Sequence, residues 1–120
     1  MKRKGLNMEK ISVILVNYNG KKYNDKCIES ILRSTISSKL QIVVVDNAST
    51  DNSLQLLQDR WRENNQVTII PLDKNYGFSE ANNVGIKWSE ENGYEYFFIL
   101  NNDTEIRKDT VEKMLDSHKE

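Results

Sequence analysis

Four short groups of polar residues stand out because each follows an apolar run. Asn17-Tyr-Asn19 closes Ile11 to Val16, and Asp46-Asn-Ala-Ser49 closes Gln41 to Val45. Asn75-Tyr-Gly77 comes shortly after Val67 to Ile70, and Asn101-Asn-Asp103 directly follows Tyr96 to Leu100. Amides, hydroxyls and carboxylates can hydrogen-bond a base or a sugar, and a carboxylate can help hold a hard cation whose shell phosphate oxygens and water complete. Asp46 suits the first task, since it ends a Val-Val-Val run where only partial solvation is expected. Asp103 suits the second. Turn geometry and helix capping also favour Asn, Asp, Ser and Gly, so one group alone says little. For Asn47 to Asp51 taken alone, capping outranks ligand binding.

The apolar runs before these groups are rich in β-branched residues and lack alternation, which predicts four buried strands. Between them the period changes to that of a helix. Tyr23, Cys27, Ile28, Ile31 and Leu32 predict a helix over about 22–35, and Leu54, Leu57 and Trp61 mark a second. Ala81, Val84 and Trp88 predict a third over about 79–91, stopped by Gly93. A last helix carries Val111, Met114 and Leu115 behind a cap at Asp109 or Thr110. The alternating order predicts an α/β fold: a Rossmann-like, four-stranded, mostly parallel sheet with helices on both faces. Ligands of such sheets bind beyond the C-terminal ends of the strands. All four polar groups therefore share one rim.

Composition narrows the chemistry. The 120 residues suit one domain, expected over 11–120 behind a basic tail at 1–10. A net charge of −1 provides no field for nucleic acid. Cys27 is the only cysteine, which removes internal disulfides and cysteine zinc clusters and leaves a small buried hydrophobe as its expected role. No apolar run approaches a membrane span or signal peptide, so a cytoplasmic location is expected, with peripheral contact at the inner face of a membrane left open. The first strand is not followed by G-x-G-x-x-G, and no P-loop is present. His118, the only histidine, is expected at a frayed helix end, so no Ser-His-Asp triad exists. Asn17-Tyr-Asn-Gly-Lys-Lys22 is a poor phosphate loop for a nucleotidyltransferase, and asparagines stand where a phosphoacceptor module needs an acidic pair.

Ile11-Ser-Val-Ile-Leu-Val-Asn-Tyr-Asn19, Ile42-Val-Val-Val-Asp-Asn-Ala-Ser-Thr-Asp-Asn-Ser53, Asn75-Tyr-Gly-Phe78 with Asn82-Asn-Val-Gly85, and Phe98-Ile-Leu-Asn-Asn-Asp103 together resemble the family 2 glycosyltransferases. The resemblance runs over about 11–115, and the asparagine-rich motifs are most similar to the rhamnosyltransferase-like branch. It implies the nucleotide-sugar-binding half of a GT-A fold. The implied ligand is a nucleoside diphosphate sugar, dTDP- or UDP-linked, held with Mn²⁺ or Mg²⁺ for inverting transfer to a hydroxyl of a glycan or lipid-linked acceptor.

Carried over by position, Asn17, Tyr18 and Asn19 flank the nucleoside, and Asp46 hydrogen-bonds the pyrimidine base beside Asn47 and Ser49. Asn75 and Gly77 line the wall near base and ribose, with Asn83 close by. Asn101 and Asn102 complete the nucleotide-sugar site, and Asp103 coordinates the metal that bridges the diphosphate. Asn101 stands where many relatives have Asp, leaving one negative charge fewer. The family's general base and acceptor segments lie past this motif, beyond Glu120. The resemblance thus implies a donor-binding half that is weakly active or inactive alone. The alternative is a non-catalytic nucleotide-binding module that needs a partner chain. The fourth strand becomes a sheet edge, through which a homo-oligomer is expected.

Overall fold

A run that is apolar at every position has no solvent face and must be covered on both sides. A computed structural model, which describes residues 10–119, shows this at the centre of the sheet. All seven residues of β1 (Ile11–Asn17) are buried, and β2 (Leu40–Asp46) is buried except at the half-buried Gln41. β3 (Val67–Pro71) and β4 (Tyr96–Leu100) flank them and are only partly covered. The order is β3-β2-β1-β4, and every neighbouring pair is parallel. The α/β class is as predicted, but the sheet is wholly rather than mostly parallel. The basic tail predicted for 1–10 lies outside the described residues, apart from Lys10.

Alternate residues of each strand point to opposite faces. Ile11, Val13 and Leu15 of β1, with Ile42 and Val44 of β2, meet Cys27, Ile28 and Ile31 of α1 (Asn24–Leu32). Leu57 and Trp61 of α2 (Ser53–Trp61) and Val111 and Leu115 of α4 (Thr110–Lys119) complete this core. On the other face Ile14, Val16, Val43 and Val45 pack against Ala81 of α3 (Phe78–Glu91), flanked by Val84 and Trp88. Burying each large aliphatic side chain contributes roughly 1.5–3 kcal/mol, so these two layers hold the sheet in place. No helix among the described residues is long and apolar enough to cross a membrane.

Two local readings need correction. The first helix is shorter than 22–35, because the Gly20 carbonyl accepts the N–H groups of Tyr23 (2.9 Å) and Asn24 (3.1 Å) in a turn that precedes it. Tyr23 is consequently 50% exposed rather than on the apolar stripe. His118 packs edge-on against Tyr96, with ring centroids 5.4 Å apart.

β1 has β2 on one side and β4 on the other, so strand order reverses between β1 and β4, and a crevice opens beyond their carboxyl ends. Small residues set the height of α3 above this point. Ser12 Oγ donates to Ser89 Oγ at 2.7 Å, and Gly85 is so close to β1 that an added Cβ would lie 2.7 Å from Ile14 Cγ2. Overpacking such a contact costs about 1–3 kcal/mol. Gly85→Val is therefore expected to lower unfolding stability by about 2 kcal/mol in urea titrations. An unchanged midpoint would place α3 farther from the sheet than described.

Candidate functional site

The parallel register sets Asn17 opposite Asp46 at the last position of the β1–β2 ladder. Asn17 lies on the face covered by α1 and α2 and is completely buried. A buried amide must find partners for both its ends. Asn17 Nδ2 donates to Asp46 Oδ1 (2.8 Å), Ser53 Oγ (2.9 Å) and Ser49 Oγ (3.1 Å). Its Oδ1 accepts from Gly20 N (2.9 Å) and Asn24 Nδ2 (3.0 Å). Ser49 Oγ donates to Asp46 Oδ1 at 2.7 Å and accepts from Asn19 N at 2.9 Å. Asn19 Oδ1 accepts from the backbone N–H groups of Thr50 (2.8 Å) and Asp51 (3.1 Å). The loops after β1 and β2 are thus clasped together from below.

Above the clasp lies a cleft of about 430 Å³, lined by Val16, Tyr18, Asn47, Asn75, Gly77, Phe78 and Asn102. Tyr18 and Phe78 expose 47% and 54% of their surfaces, giving the cleft two aromatic walls with free faces. Asn47 Oδ1 accepts from Tyr76 N at 3.0 Å, which joins the third polar group to the second. Asn75 Oδ1 accepts from Gly77 N at 2.8 Å, in a turn where Gly77 has φ 91°, a conformation that favours glycine. Asp103 is exposed beside Asn102 and makes no hydrogen bond or ion pair with another described residue.

Five residues predicted for the site line the cleft: Tyr18, Asn47, Asn75, Gly77 and Asn102. Asn101 and Asp103 share the loop of Asn102 but do not line the cleft, and Asn83 is exposed on α3 outside its lining. Asn17 is corrected: its polar atoms are all engaged, so it holds the loops and has nothing left for a ligand. The hydroxyl of Ser49 and the Oδ1 of Asn19 are likewise spent within the clasp, while Asn19 Nδ2 donates to Thr50 Oγ1 at 3.1 Å and keeps one N–H in solvent. Asp46 is 1% exposed, so the partly solvated carboxylate expected there is also corrected. Its Oδ1 accepts two hydrogen bonds and its Oδ2 only one, from Ser49 N at 3.2 Å. The N-cap of α2, Asn52, makes no side-chain capping bond, and Asp51 just before it accepts from Ser53 N at 2.9 Å in a turn that leads into the helix.

Phe78, which lines the cleft, was quoted only within its motif and not predicted for the site, and two buried polar residues also escaped the sequence reading. Asn82 is 5% exposed, and its Oδ1 is buried without a hydrogen-bond partner. It shares the inward stripe of α3 with Gly85 and Ser89, and that spacing is the signal that would have separated it from Asn83. Asn24 is 3% exposed and lies on the stripe of Cys27, Ile28 and Ile31, an equally readable sign.

No group of three or more His, Cys, Asp or Glu that could hold a metal occurs among the described residues. A single free carboxylate fits a hard cation that arrives with phosphate oxygens, and not a cation bound by protein alone. Beneath the loop, burial and then the Asp103 carboxylate push the Cys27 thiol up from 9.0 to about 11. Between these values the folded chain keeps a proton that the unfolded chain has lost. This contribution to stability is complete below pH 9 and falls as pH rises toward 11. Native protein at pH 8 is expected to react with an aromatic disulfide reagent about a hundredfold more slowly than unfolded protein. Equal rates would show an open thiol.

An open parallel sheet with a polar cleft at its switch point defines a doubly wound α/β protein whose candidate site lies at the carboxyl edge of the sheet. The family described as Glycosyl transferase family 2 matches residues 12–120, and the chain belongs to that family. It is 31% identical over 106 residues to the glycosyltransferase GlyG of Streptococcus pneumoniae serotype 4, covering 88% of this chain and 34% of the relative. Chondroitin synthase of Escherichia coli is 33% identical over 106 residues, again 88% of this chain but 15% of the relative. Among solved structures, TarS of S. aureus in complex with UDP-GlcNAc superposes with a TM-score of 0.77 at 28% identity, over 92% of this chain and 32% of that one. The mannosyltransferase PcManGT of Pyrobaculum calidifontis, in complex with GDP-Man and Mn²⁺, shares the fold with a TM-score of 0.75 at 23% identity, over 88% and 31%. The chain therefore spans about a third or less of the length of these four proteins.

Proposed function

We propose that the cleft receives a nucleoside diphosphate sugar and that this chain forms the donor-binding part of an inverting glycosyltransferase. The observation that carries this reading is an opening at the β1–β4 switch point with two aromatic walls, three amides and the free Asp103 carboxylate on its adjoining loop. Tyr18 and Phe78 offer faces to a pyrimidine base. Asn47, Asn75 and Asn102 offer amides to ribose and sugar hydroxyls. A base reaches Asp46 only through Oδ2, the oxygen with capacity left. Asp103 would hold Mn²⁺ or Mg²⁺ at the diphosphate, and the bound ion would supply neutralisation of the charge on the departing group.

The uridine nucleotide in the TarS complex supports a UDP-linked donor. Asn75-Tyr-Gly-Phe78 and Asn101-Asn-Asp103 favour a dTDP-linked donor and the rhamnosyltransferase-like branch. The acceptor is a hydroxyl of a glycan or lipid-linked molecule. Among the residues lining the cleft there is no carboxylate and no histidine to deprotonate it. This favours a second reading, in which the chain binds nucleotide and turnover waits on groups supplied by further polypeptide or by a partner chain.

Calorimetric titration with UDP and dTDP, with and without Mn²⁺, tests the site. Mn²⁺ is expected to tighten binding about tenfold or more, Asp103→Ala to remove that gain, and Tyr18→Ala to weaken binding under both conditions. Absence of binding at millimolar nucleotide would end the proposal.

The outer edge of β4 has no neighbouring strand among the described residues, and Ile99 there is 46% exposed. Such an edge, without charge or proline, invites pairing with a second copy. Sedimentation should show association that rises with concentration and weakens in Ile99→Lys. A clean monomer at high concentration would refute pairing.

A further inference from the structure

We infer that Asn24 is a positioning residue that ties the Asp103 loop to the Asp46 end of the rim. The inference rests on the reading above, in which Asp103 holds a cation at a diphosphate. The loop after β4 has little regular structure and owes its place to α1. Asn102 Nδ2 donates to Asn24 Oδ1 at 2.9 Å, and Ile106 N donates to Ser30 Oγ at 3.1 Å. The Cys27 thiol lies 3.9 Å from the Asn101 carbonyl as a weak donor. Three side chains of one helix face therefore hold the loop, and Asp103 sits between two of the tethers.

Only Asn24 of the three continues across the rim. Its Nδ2 donates to Asn17 Oδ1 at 3.0 Å, and Asn17 Nδ2 donates to Asp46 Oδ1 at 2.8 Å. Three hydrogen bonds thus connect the cation end of the site to its nucleoside end, through amides that are 3% and 0% exposed. Gly20 gives an independent sign that this passage is closely fitted. A Cβ on Gly20 would lie 2.3 Å from Asn102 Nδ2, 2.8 Å from Asn17 Oδ1 and 3.4 Å from Asn24 Oδ1. A side chain at position 20 would have to push the converging amides apart.

Relays of this kind align two halves of a site before the ligand arrives, which matters most for a ligand that spans both. Nucleoside alone would not sense the link, whereas a cation-bound diphosphate would.

The test compares this chain with Asn24→Leu and Gly20→Ala in two measurements. Leu fills the Asn24 volume without polar atoms, and Ala at position 20 forces Asn102 Nδ2 and Asn17 Oδ1 to give way while Asn24 keeps its polar atoms. Amide hydrogen exchange should quicken about tenfold at 102–106 in both variants and stay unchanged in β1 and β2. UDP affinity without metal should stay within about twofold of the parent, while the gain from Mn²⁺ shrinks about fivefold, the worth of one hydrogen bond. A loop that stays protected in Asn24→Leu overturns the inference. So does a loosened loop with the full Mn²⁺ gain, or an equal loss with and without metal, which marks a structural role only. Should Asn24→Leu fail to fold, Gly20→Ala decides by the same criteria. A parent chain without any Mn²⁺ gain refutes the cation reading of Asp103, and the exchange rates then judge the tether by themselves.

Discussion

The hydrogen bond between Asn17 and Asp46 is the contact on which the functional edge depends. Parallel pairing brings the two side chains together at the ends of the two most buried strands. A carboxylate there is cut off from water, which is costly unless hydrogen bonds replace its hydration. Asn17 supplies one from Nδ2, and the loop supplies two more from the Ser49 hydroxyl and N–H. Because Asn17 is itself buried, its own acceptor draws in Gly20 and Asn24. Satisfying one desolvated charge thus fixes the start of α1, the loop after β2 and, through Asn102, the loop after β4.

Above this closed network the side chains are only partly engaged. Tyr18, Phe78, Asn75 and Asp103 are exposed, and Asn82 Oδ1 is buried without a partner. The division follows from saturation: an amide engaged at both ends steadies a loop, and one with free positions can meet a ligand. Backbone strain lies on the same edge. Asn19 and Ala48 have φ of 56° and 59°, a region that costs residues with a Cβ of order 1–3 kcal/mol. The bonds from Asn19 to Ser49, Thr50 and Asp51 offset that cost. A rigid rim agrees with the proposed function, since a ligand with base, diphosphate and sugar would have to be met at several points together.

Much of this was legible before the tertiary structure. Runs such as Val43 to Val45 admit only a strand covered on both faces, because no residue in them tolerates water. The stripes of α1 to α4 follow from spacing alone, and right-handed crossovers leave few ways to arrange four parallel strands. That the polar groups share one edge is a direct consequence, so Tyr18, Asn47, Asn75, Gly77 and Asn102 could be named as a set.

Which neighbour in each polar group turns inward was decided by tertiary structure. Asn17 and Tyr18 differ by one position, and strand alternation sends one to the α1–α2 face and the other to the cleft. On α3 only Asn82 of the pair Asn82 and Asn83 faces the sheet, a division its spacing from Gly85 and Ser89 already marks but only packing turns into burial. Residue type sets what a side chain can bond, and it is the same for both members of each pair. Burial sets what the side chain must bond, and it arises only when the α3 stripe meets Ile14 and the register sets Asn17 beside Asp46. The chemistry offered at the edge was thus written in residue types. Its division into engaged and open groups came from packing, because desolvation belongs to the neighbours a group acquires and not to the group itself.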